Sequence, residues 1–451
     1  MTELAPLAVD DLAPGIDGRR PGAIATAIAR RIRELGSPPG TPLPTVRSLA
    51  AELGVSASTI SDAWRILRSR GLIETDRRRG TTIRAQRDTD AGRAWHVPVA
   101  PGALNLDLST GTPDPRLLPD LRSALGRATE DHQVTSYLDQ PVLPALETEL
   151  RRRWPFEAER ITLLDGAQDA LDRVISSTVA FGDRALVETP TFPPILDMLE
   201  LAGADIIELP VDAAGVRPDA LATALADRPT IAVFQPRAHN PTGATWTAQR
   251  AGEIATLLDD TDILVIEDDH SGMVAGAPLH TTGIARPDKT VHIHSFSKSH
   301  GPDLRLAAVG GPAAVLDPVV RRRQLGPSWT SRLLQQVLLD LLTDTDAIAS
   351  VAAAEATYRT RRWELVEALA DIGLGVEWTG CGLNVWVPVD DERNTLVALA
   401  AAGIGAAPGR PFSVQPSAND HIRLTISAVD DPVALAAQIA AAVNASQQMT
   451  R

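Results

Sequence analysis

The chain has 451 residues, 44% hydrophobic and 22% charged, the composition of a globular protein long enough for two or three domains and not of a disordered chain. Its net charge of −14 hides an asymmetry: residues 19–93 hold 15 Arg against 7 Asp and Glu, a net of +8, while residues 1–18 carry −4 and residues 94–451 carry −18. No apolar run nears the roughly 20 residues that span a bilayer, the first twenty residues lack the basic start of a secretory signal, and Cys381 alone offers no disulfide or thiolate metal site.

These features predict a cytoplasmic protein with a basic module on an acidic body, the charge pattern of a nucleic-acid reader joined to a separate domain. Ala23 to Leu35 has apolar residues at Ile24, Ala27, Ile28 and Ile32, a helical spacing that stops at Gly36-Ser37-Pro38-Pro39-Gly40. A second helix is predicted from Val46 to Leu53, with Thr45 as N-cap and Gly54 as its stop. A third runs from about Thr59 to Arg70, capped by Ser56 or Ser58 and ended at Gly71. Two helices joined by a short glycine-containing turn have helix-turn-helix spacing. Leu72–Thr75 and Thr81–Ile83 then flank Asp76-Arg77-Arg78-Arg79-Gly80, a hairpin whose arginine tip suits a phosphate backbone.

The stretch Leu43-Pro44-Thr45-Val46-Arg47-Ser48-Leu49-Ala50, with Gly54-Val55-Ser56, Gly71-Leu72-Ile73 and Arg79-Gly80-Thr81, resembles the winged helix-turn-helix of GntR-type regulators. The resemblance implies double-stranded DNA as partner, Arg47 on a phosphate, Ser58 and Thr59 at the groove-facing start of the recognition helix, and Arg79-Gly80 as the wing. Family members often carry arginine at the start of that helix, where this chain reads Ser56-Ala57-Ser58-Thr59-Ile60-Ser61-Asp62. Base readout then rests on hydroxyls, with Arg65 and the wing supplying affinity. The competing reading is a small helical interaction domain that never meets DNA. The Pro-, Gly- and Ala-rich stretch that follows reads as a linker. The expected domains are 19–86, a linker 87–103, and 104–451.

In the body, strand patterns at Ile161–Leu164, Ala185–Glu188, Ile206–Leu209, Thr230–Phe234, Ile263–Ile266 and Thr290–Ile293 alternate with helical patterns. That order predicts a largely parallel sheet covered on both faces, with a ligand beyond the carboxyl ends of its strands. The loops there carry Gly166, Phe192, Asn240, Asp268 and Lys298 in turn. Lys298 is one of only two lysines against 41 arginines, and an amine, unlike a guanidinium, can lose its proton and attack a carbonyl. Gly166 before a helix suits a phosphate held by backbone N–H groups. A strand period of two places Ile266, Asp268 and His270 on one face, and Glu267 and Asp269 on the other. An amine, a carboxylate, a hydroxyl partner, an aromatic face and a phosphate cradle are the requirements of pyridoxal phosphate. Singly, Lys298 could be a solvated surface lysine and the acidic run a solvated strand end.

Together the five loops resemble the fold-type I aminotransferases over about residues 104–445. The resemblance implies Lys298 as the Schiff-base lysine, Asp268 on the pyridine nitrogen, Asn240 on the ring hydroxyl and Phe192 stacked on the ring. It places Gly166, Ala167, Gln168, Ser295 and Arg305 around the phosphate, Tyr137 toward the phosphate region of a second subunit, and Arg423 on a ligand carboxylate. His270 stands where the family usually has tyrosine, and an imidazole titrating near neutrality predicts pH-sensitive cofactor absorbance. Val142 and Glu147 replace a glycine and an arginine that the family favours.

An α+β winged helix-turn-helix fused to an α/β fold-type I body looks like the MocR family of bacterial transcription regulators. That resemblance implies a head-to-tail homodimer, pyridoxal phosphate as cofactor, and an amine or amino acid as effector; no metal and no membrane partner is expected. The expected function is a DNA-binding regulator that senses the cofactor or an amine condensing with it. The alternatives are a catalytically active aminotransferase that carries a DNA-binding domain, and a DNA-binding protein with an empty, structural body.

Overall fold

A computed structural model describes residues 5–14, 16, 19–38, 40–69, 72–76, 80–83, 92–93, 104–130, 136–376, 380–415 and 420–449. They fall into two compact units, one built on Met1–Gly92 and the other on Arg93–Thr178, Arg184–Leu199 and Ile206–Arg451.

In the N-terminal unit, helices Pro21–Glu34, Val46–Leu53 and Ala57–Ser69 bury Ile24, Ile28, Leu49, Ile60, Trp64 and Leu67 in one core. Gly54 makes the turn between the last two with φ 59°, a left-handed conformation that glycine tolerates without strain. Of the two candidate caps, Ser56 takes the role: its Oγ accepts from Thr59 N at 3.1 Å, and the helix starts two residues earlier than its periodicity predicts. Thr45 caps the preceding helix, its Oγ1 accepting from Ser48 N at 3.1 Å. Thr45→Ala is therefore expected to lower the stability of this unit by about 1 kcal/mol, read from denaturant unfolding. Strands Ile73–Asp76 and Gly80–Ile83 pair antiparallel, with Ile73 opposite Ile83, and form the wing. Arg77, Arg78 and Arg79 lie outside the described residues, as does most of 87–103. A short helix, Val9–Leu12, buries Leu12 and was not foreseen from the sequence.

The body is organised on an eight-stranded sheet in the order Arg160–Leu164, Ala307–Gly311, Thr290–Ser295, Leu264–Asp269, Ile231–Phe234, Arg184–Thr189, Asp205–Asp212, Gly215–Val216. The strands from Thr290–Ser295 to Arg184–Thr189 run parallel. Ala307–Gly311 is antiparallel to both its neighbours, so the sheet is mixed where the sequence predicts a largely parallel one. Its sequence, Ala-Ala-Val-Gly-Gly, has no hydrophobic period to announce a strand. The glycines admit a neighbour instead: a Cβ at Gly310 would lie 2.5 Å from the Trp154 ring.

Two central strands run past their predicted ends, to Asp269 and Ser295. Their last residues are acids and histidines, which pair with each other in the interior and so hide the strand from a hydrophobicity reading. A three-stranded sheet of Asn384–Val389, Asp420–Thr425 and Ala407–Pro408 packs with helices Thr345–Asp371 and Pro432–Met449 around a second core that includes Val385, Ile422, Leu424 and Leu369. The middle strand of this sheet carries Arg423.

Candidate functional site

The carboxyl ends of the parallel strands bring Lys298, Asp268 and Asn240 together with Arg423. Lys298, three residues beyond Thr290–Ser295, is part-buried and donates from Nζ to the Gly111 carbonyl. Gly111 adopts φ 69°, and a Cβ there would come within 3.8 Å of Lys298 Nζ. Burial and the neighbouring Arg423 push the Lys298 ammonium down to about 8, against the opposing charge of Asp268. Asp268 is fully enclosed, and burial pushes it up to about 6 although Gln235 Nε2 donates to its Oδ2 at 2.8 Å. Its other oxygen, Oδ1, has no hydrogen-bond partner among the described residues. Arg423, 1% exposed, donates to the Ser109 carbonyl and reaches Asn240 Oδ1 at 3.4 Å, while its guanidinium lies 5.5 Å from the centre of the Phe412 ring. Burial lowers it to about 10, so it stays charged at neutral pH.

Arg305, whose charge acts on Lys298, lies close over Gly166. Gly166 precedes the twelve-residue helix Ala167–Thr178 with φ 97°, and a Cβ there would sit 2.8 Å from the Arg305 guanidinium. Arg305 is exposed and donates to the Asp165 carbonyl at 3.0 Å. Ser295 Oγ accepts from Ser297 N at 3.3 Å, Ala167 is part-buried and Gln168 is exposed. Phe192 is part-buried on the loop after Arg184–Thr189, where Thr191 N donates to the Phe412 carbonyl at 2.7 Å. Tyr137 is 90% exposed, and its ring centre lies 5.9 Å from that of Trp329.

His270 departs from expectation. The strand ends at Asp269, and the His270 ring turns to donate from Nε2 to the Ala238 carbonyl at 2.9 Å. Burial and the Lys298 charge push it down to about 4, so it is neutral near pH 7 and does not supply the neutral-range titration predicted from its type. It holds instead a loop in which Ala238, not a glycine, has φ 49°.

The opposite face of the same strands carries a buried ladder. His292 lies opposite Glu267 and His294 opposite Asp269. His292 Nδ1 is 3.1 Å from Glu267 Oε2, His294 Nδ1 donates to Asp269 Oδ2 at 2.8 Å, and Arg237 clasps both Asp269 oxygens at 2.7 Å. Burial alone would raise Asp269, but Arg237 and His294 hold it well below the usual carboxylate range. Asp269, His292 and His294 bring ligand atoms within 4.8 Å of one another, yet the guanidinium already balances the carboxylate there.

The aminotransferase class I and II family matches residues 105–438, and the gntR family of bacterial regulatory proteins matches residues 22–83. The chain is 33% identical over 440 residues to the vitamin B6 salvage pathway transcriptional repressor PtsJ of Salmonella typhimurium, covering 95% of this chain and 100% of that one. It is 24% identical over 455 residues to the pyridoxine biosynthesis regulator PdxR of Corynebacterium glutamicum, covering 94% and 99%. The chain is a MocR-type member of the GntR regulator family. Among solved structures, a Pyrococcus horikoshii kynurenine aminotransferase is similar with a TM-score of 0.70 at 20% identity, covering 78% of this chain and 92% of that one, a likeness of fold.

This MocR-type regulator presents its predicted reading residues on the N-terminal unit. Arg47 is exposed in the first turn of Val46–Leu53, and Ser58 and Thr59 sit in the first turn of Ala57–Ser69. Ser56 Oγ ties both hydroxyls, at 2.7 Å to Ser58 and 2.8 Å to Thr59. Arg65 is exposed and paired with Asp62, and Gly80 is exposed at the start of the second wing strand. No helix of the described residues is long and apolar enough to cross a membrane.

Sequence reading missed Gln235, Glu188 and Gly111 in the body of the regulator. Glu188 is wholly buried: burial raises its carboxyl well above the usual range, and its Oε2 accepts from Gln235 N at 2.7 Å. A lone acid closing the apolar run Ala185-Leu186-Val187 was the signal for it. Gly111, distant in sequence from Lys298, gave none.

Proposed function

We propose that this chain is a DNA-binding transcription regulator whose body, residues 104–451, binds pyridoxal phosphate through Lys298 and senses it or an amine or amino acid that condenses with it. The observation that carries the reading is the pairing of a part-buried amine, lowered to about 8, with a buried carboxylate whose Oδ1 lacks a partner. A protonated pyridine nitrogen is a donor that Asp268 Oδ1 can accept from, and an aldehyde is what the Lys298 amine can attack. Arg305 over Gly166 and the start of Ala167–Thr178 fits a phosphate dianion, as cationic and helix-dipole groups do. The names of PtsJ and PdxR, both tied to vitamin B6 metabolism, support the same ligand.

Bound there, pyridoxal phosphate supplies an aldehyde reactive toward amines and an electron-withdrawing ring. The chain's own groups hold and tune: Asp268 keeps the ring nitrogen charged, Asn240 meets the ring hydroxyl, Phe192 covers the ring, and Ser295, Ala167 and Gln168 join Arg305 at the phosphate. Arg423 takes an effector carboxylate in exchange for the Ser109 carbonyl. His270, whose Nε2 meets the Ala238 carbonyl, holds the loop that carries Asn240 beside the ring.

Residues 19–86 would read DNA, with Arg47 and Arg79 on phosphates, Ser58 and Thr59 toward bases, and Arg65 and Gly80 beside them. Exposed Tyr137 and Leu138 fit a head-to-tail homodimer in which Tyr137 reaches a second subunit's phosphate site. A ligand shifts DNA binding only if two dimer states bind it differently, and a tenfold difference is about 1.4 kcal/mol of coupling.

The test is an absorbance titration of the purified protein with pyridoxal phosphate and then with amines and amino acids, alongside DNA binding in each state. An unchanged spectrum overturns the reading, and sustained turnover with an amino acid and a keto acid replaces the sensor by an enzyme. A pH prediction follows from the same groups. At pH 7 roughly a tenth of Lys298 is neutral amine, about two orders of magnitude more than for an unperturbed lysine. The rate of cofactor capture is therefore expected to rise with pH and level off above about 8. Affinity is expected to fall below about pH 6, where Asp268 takes up a proton. Stopped-flow absorbance across pH 5–9 checks both limbs.

A further inference from the structure

We propose that Gln235 is the positioning residue of the cofactor site, tying Asp268 and Asn240 into the one arrangement that lets both meet the same pyridine ring. The inference rests on the pyridoxal phosphate reading above. Gln235 is the first residue after the strand Ile231–Phe234 and is 1% exposed. Its side-chain amide is used at both ends: Nε2 donates to Asp268 Oδ2 at 2.8 Å, and Oε1 accepts from Asn240 N at 2.9 Å. Its backbone N–H is anchored on Glu188 Oε2 at 2.7 Å.

The amide cannot be turned over. Reversed, its oxygen would face a carboxylate oxygen and its NH2 would face an N–H, leaving two buried mismatches. With Oδ2 engaged, Asp268 presents a single oxygen, Oδ1, to a ring donor. With its backbone N–H engaged, Asn240 is placed with its side-chain oxygen 3.4 Å from Arg423. Residues contributed by a strand and by a separate loop are thus set by one side chain.

Only a neutral amide meets both demands without adding charge. The ionisable groups facing Gln235 are Asp268 on Leu264–Asp269, Glu188 on Arg184–Thr189, and His239 in its own loop. Burial raises Glu188 well above its usual range and lowers His239 to about 3, so burial pushes both toward their neutral forms. The charges of Asp269, His292 and Lys298 act on Asp268.

The test compares pyridoxal phosphate affinity and absorbance across pH in wild type, Gln235→Leu and Gln235→Glu. Gln235→Leu is expected to weaken affinity at least tenfold and to displace the pH at which the bound cofactor's absorbance titrates. In Gln235→Glu the introduced carboxyl can reproduce both bonds only while protonated, its O–H on Asp268 and its C=O accepting from Asn240 N. Its affinity relative to wild type is therefore expected to fall steadily with rising pH and to recover toward wild type in acid. A glutamine that merely fills space predicts a ratio independent of pH, and that result overturns the proposal. Should Gln235→Leu fail to fold, the nearly isosteric Gln235→Glu decides alone. A wild type that binds the cofactor while both variants match it overturns this proposal only; a wild type that takes up no cofactor overturns the functional reading and this proposal with it.

Discussion

In Lys298→Ala, the visible absorption that follows addition of pyridoxal phosphate is expected to vanish and cofactor affinity to fall by two to three orders of magnitude, about 3–4 kcal/mol. Alanine removes the only amine in the cluster; the other lysine, Lys289, is engaged with Asp262 at 2.8 Å, beside the opposite end of the same strand. The loss is not expected to be total, because Arg305, the start of Ala167–Thr178 and Asp268 would still offer the proposed phosphate cradle and ring partner. Lys298→Arg separates charge from chemistry: a guanidinium keeps a cation near Asp268 yet cannot lose its proton to attack an aldehyde. Both variants are expected to lack the band, and only Lys298→Ala to raise the Asp268 titration above about 6, since the Lys298 charge is one of the influences lowering it. A band that survives in Lys298→Ala assigns the amine elsewhere.

Arg47→Ala combined with Arg79→Ala is expected to weaken DNA binding by one to two orders of magnitude near 0.15 M salt, with cofactor spectra unchanged. Each arginine on a phosphate displaces a counterion, so the slope of log K against log salt should become shallower by about 0.9 for each, about 1.8 together. Arg47 is exposed in the first turn of a helix whose cap is Thr45, and it has no ion pair among the described residues, so its charge is available to a phosphate. Arg65 differs: Asp62 already pairs with it, so Arg65→Ala alone should alter the slope less. A slope that stays the same in the double variant would remove both arginines from the phosphate contacts. Fluorescence anisotropy at several salt concentrations gives all of these values.

Much of this architecture was legible in the chain because it is written in local patterns. The 3.6-residue spacing of Ile24 and Ile28, the Thr45 cap, Gly54 in a left-handed turn and the strand–loop alternation of the body each depend on neighbours in sequence, and each reappears in the fold. The five strand ends carrying Gly166, Phe192, Asn240, Asp268 and Lys298 could be collected because a parallel sheet sends equivalent ends to one side. Strand period also separated Asp268 from Glu267 and Asp269, and their partners lie on opposite faces as that period requires.

What escaped the sequence depends on partners far along the chain. Ala307–Gly311 is a strand because Thr290–Ser295 and Arg160–Leu164 offer it hydrogen bonds on both sides, not because its residues favour one. His270 reads as a titrating imidazole until burial and the Lys298 charge make it neutral, while its bond to the Ala238 carbonyl makes it a loop holder. Lys298 was singled out by its rarity, but the depression of its pKa comes from enclosure and from Arg423, 125 positions away, and its carbonyl partner Gly111 lies 187 positions earlier. The sequence by itself determined which residue types could do cofactor chemistry and which elements would carry them. Only the tertiary structure decided their charge states, the sharing of Gln235 between Asp268 and Asn240, and the single unpartnered oxygen of Asp268, because desolvation and hydrogen bonding are set by the groups that folding brings together.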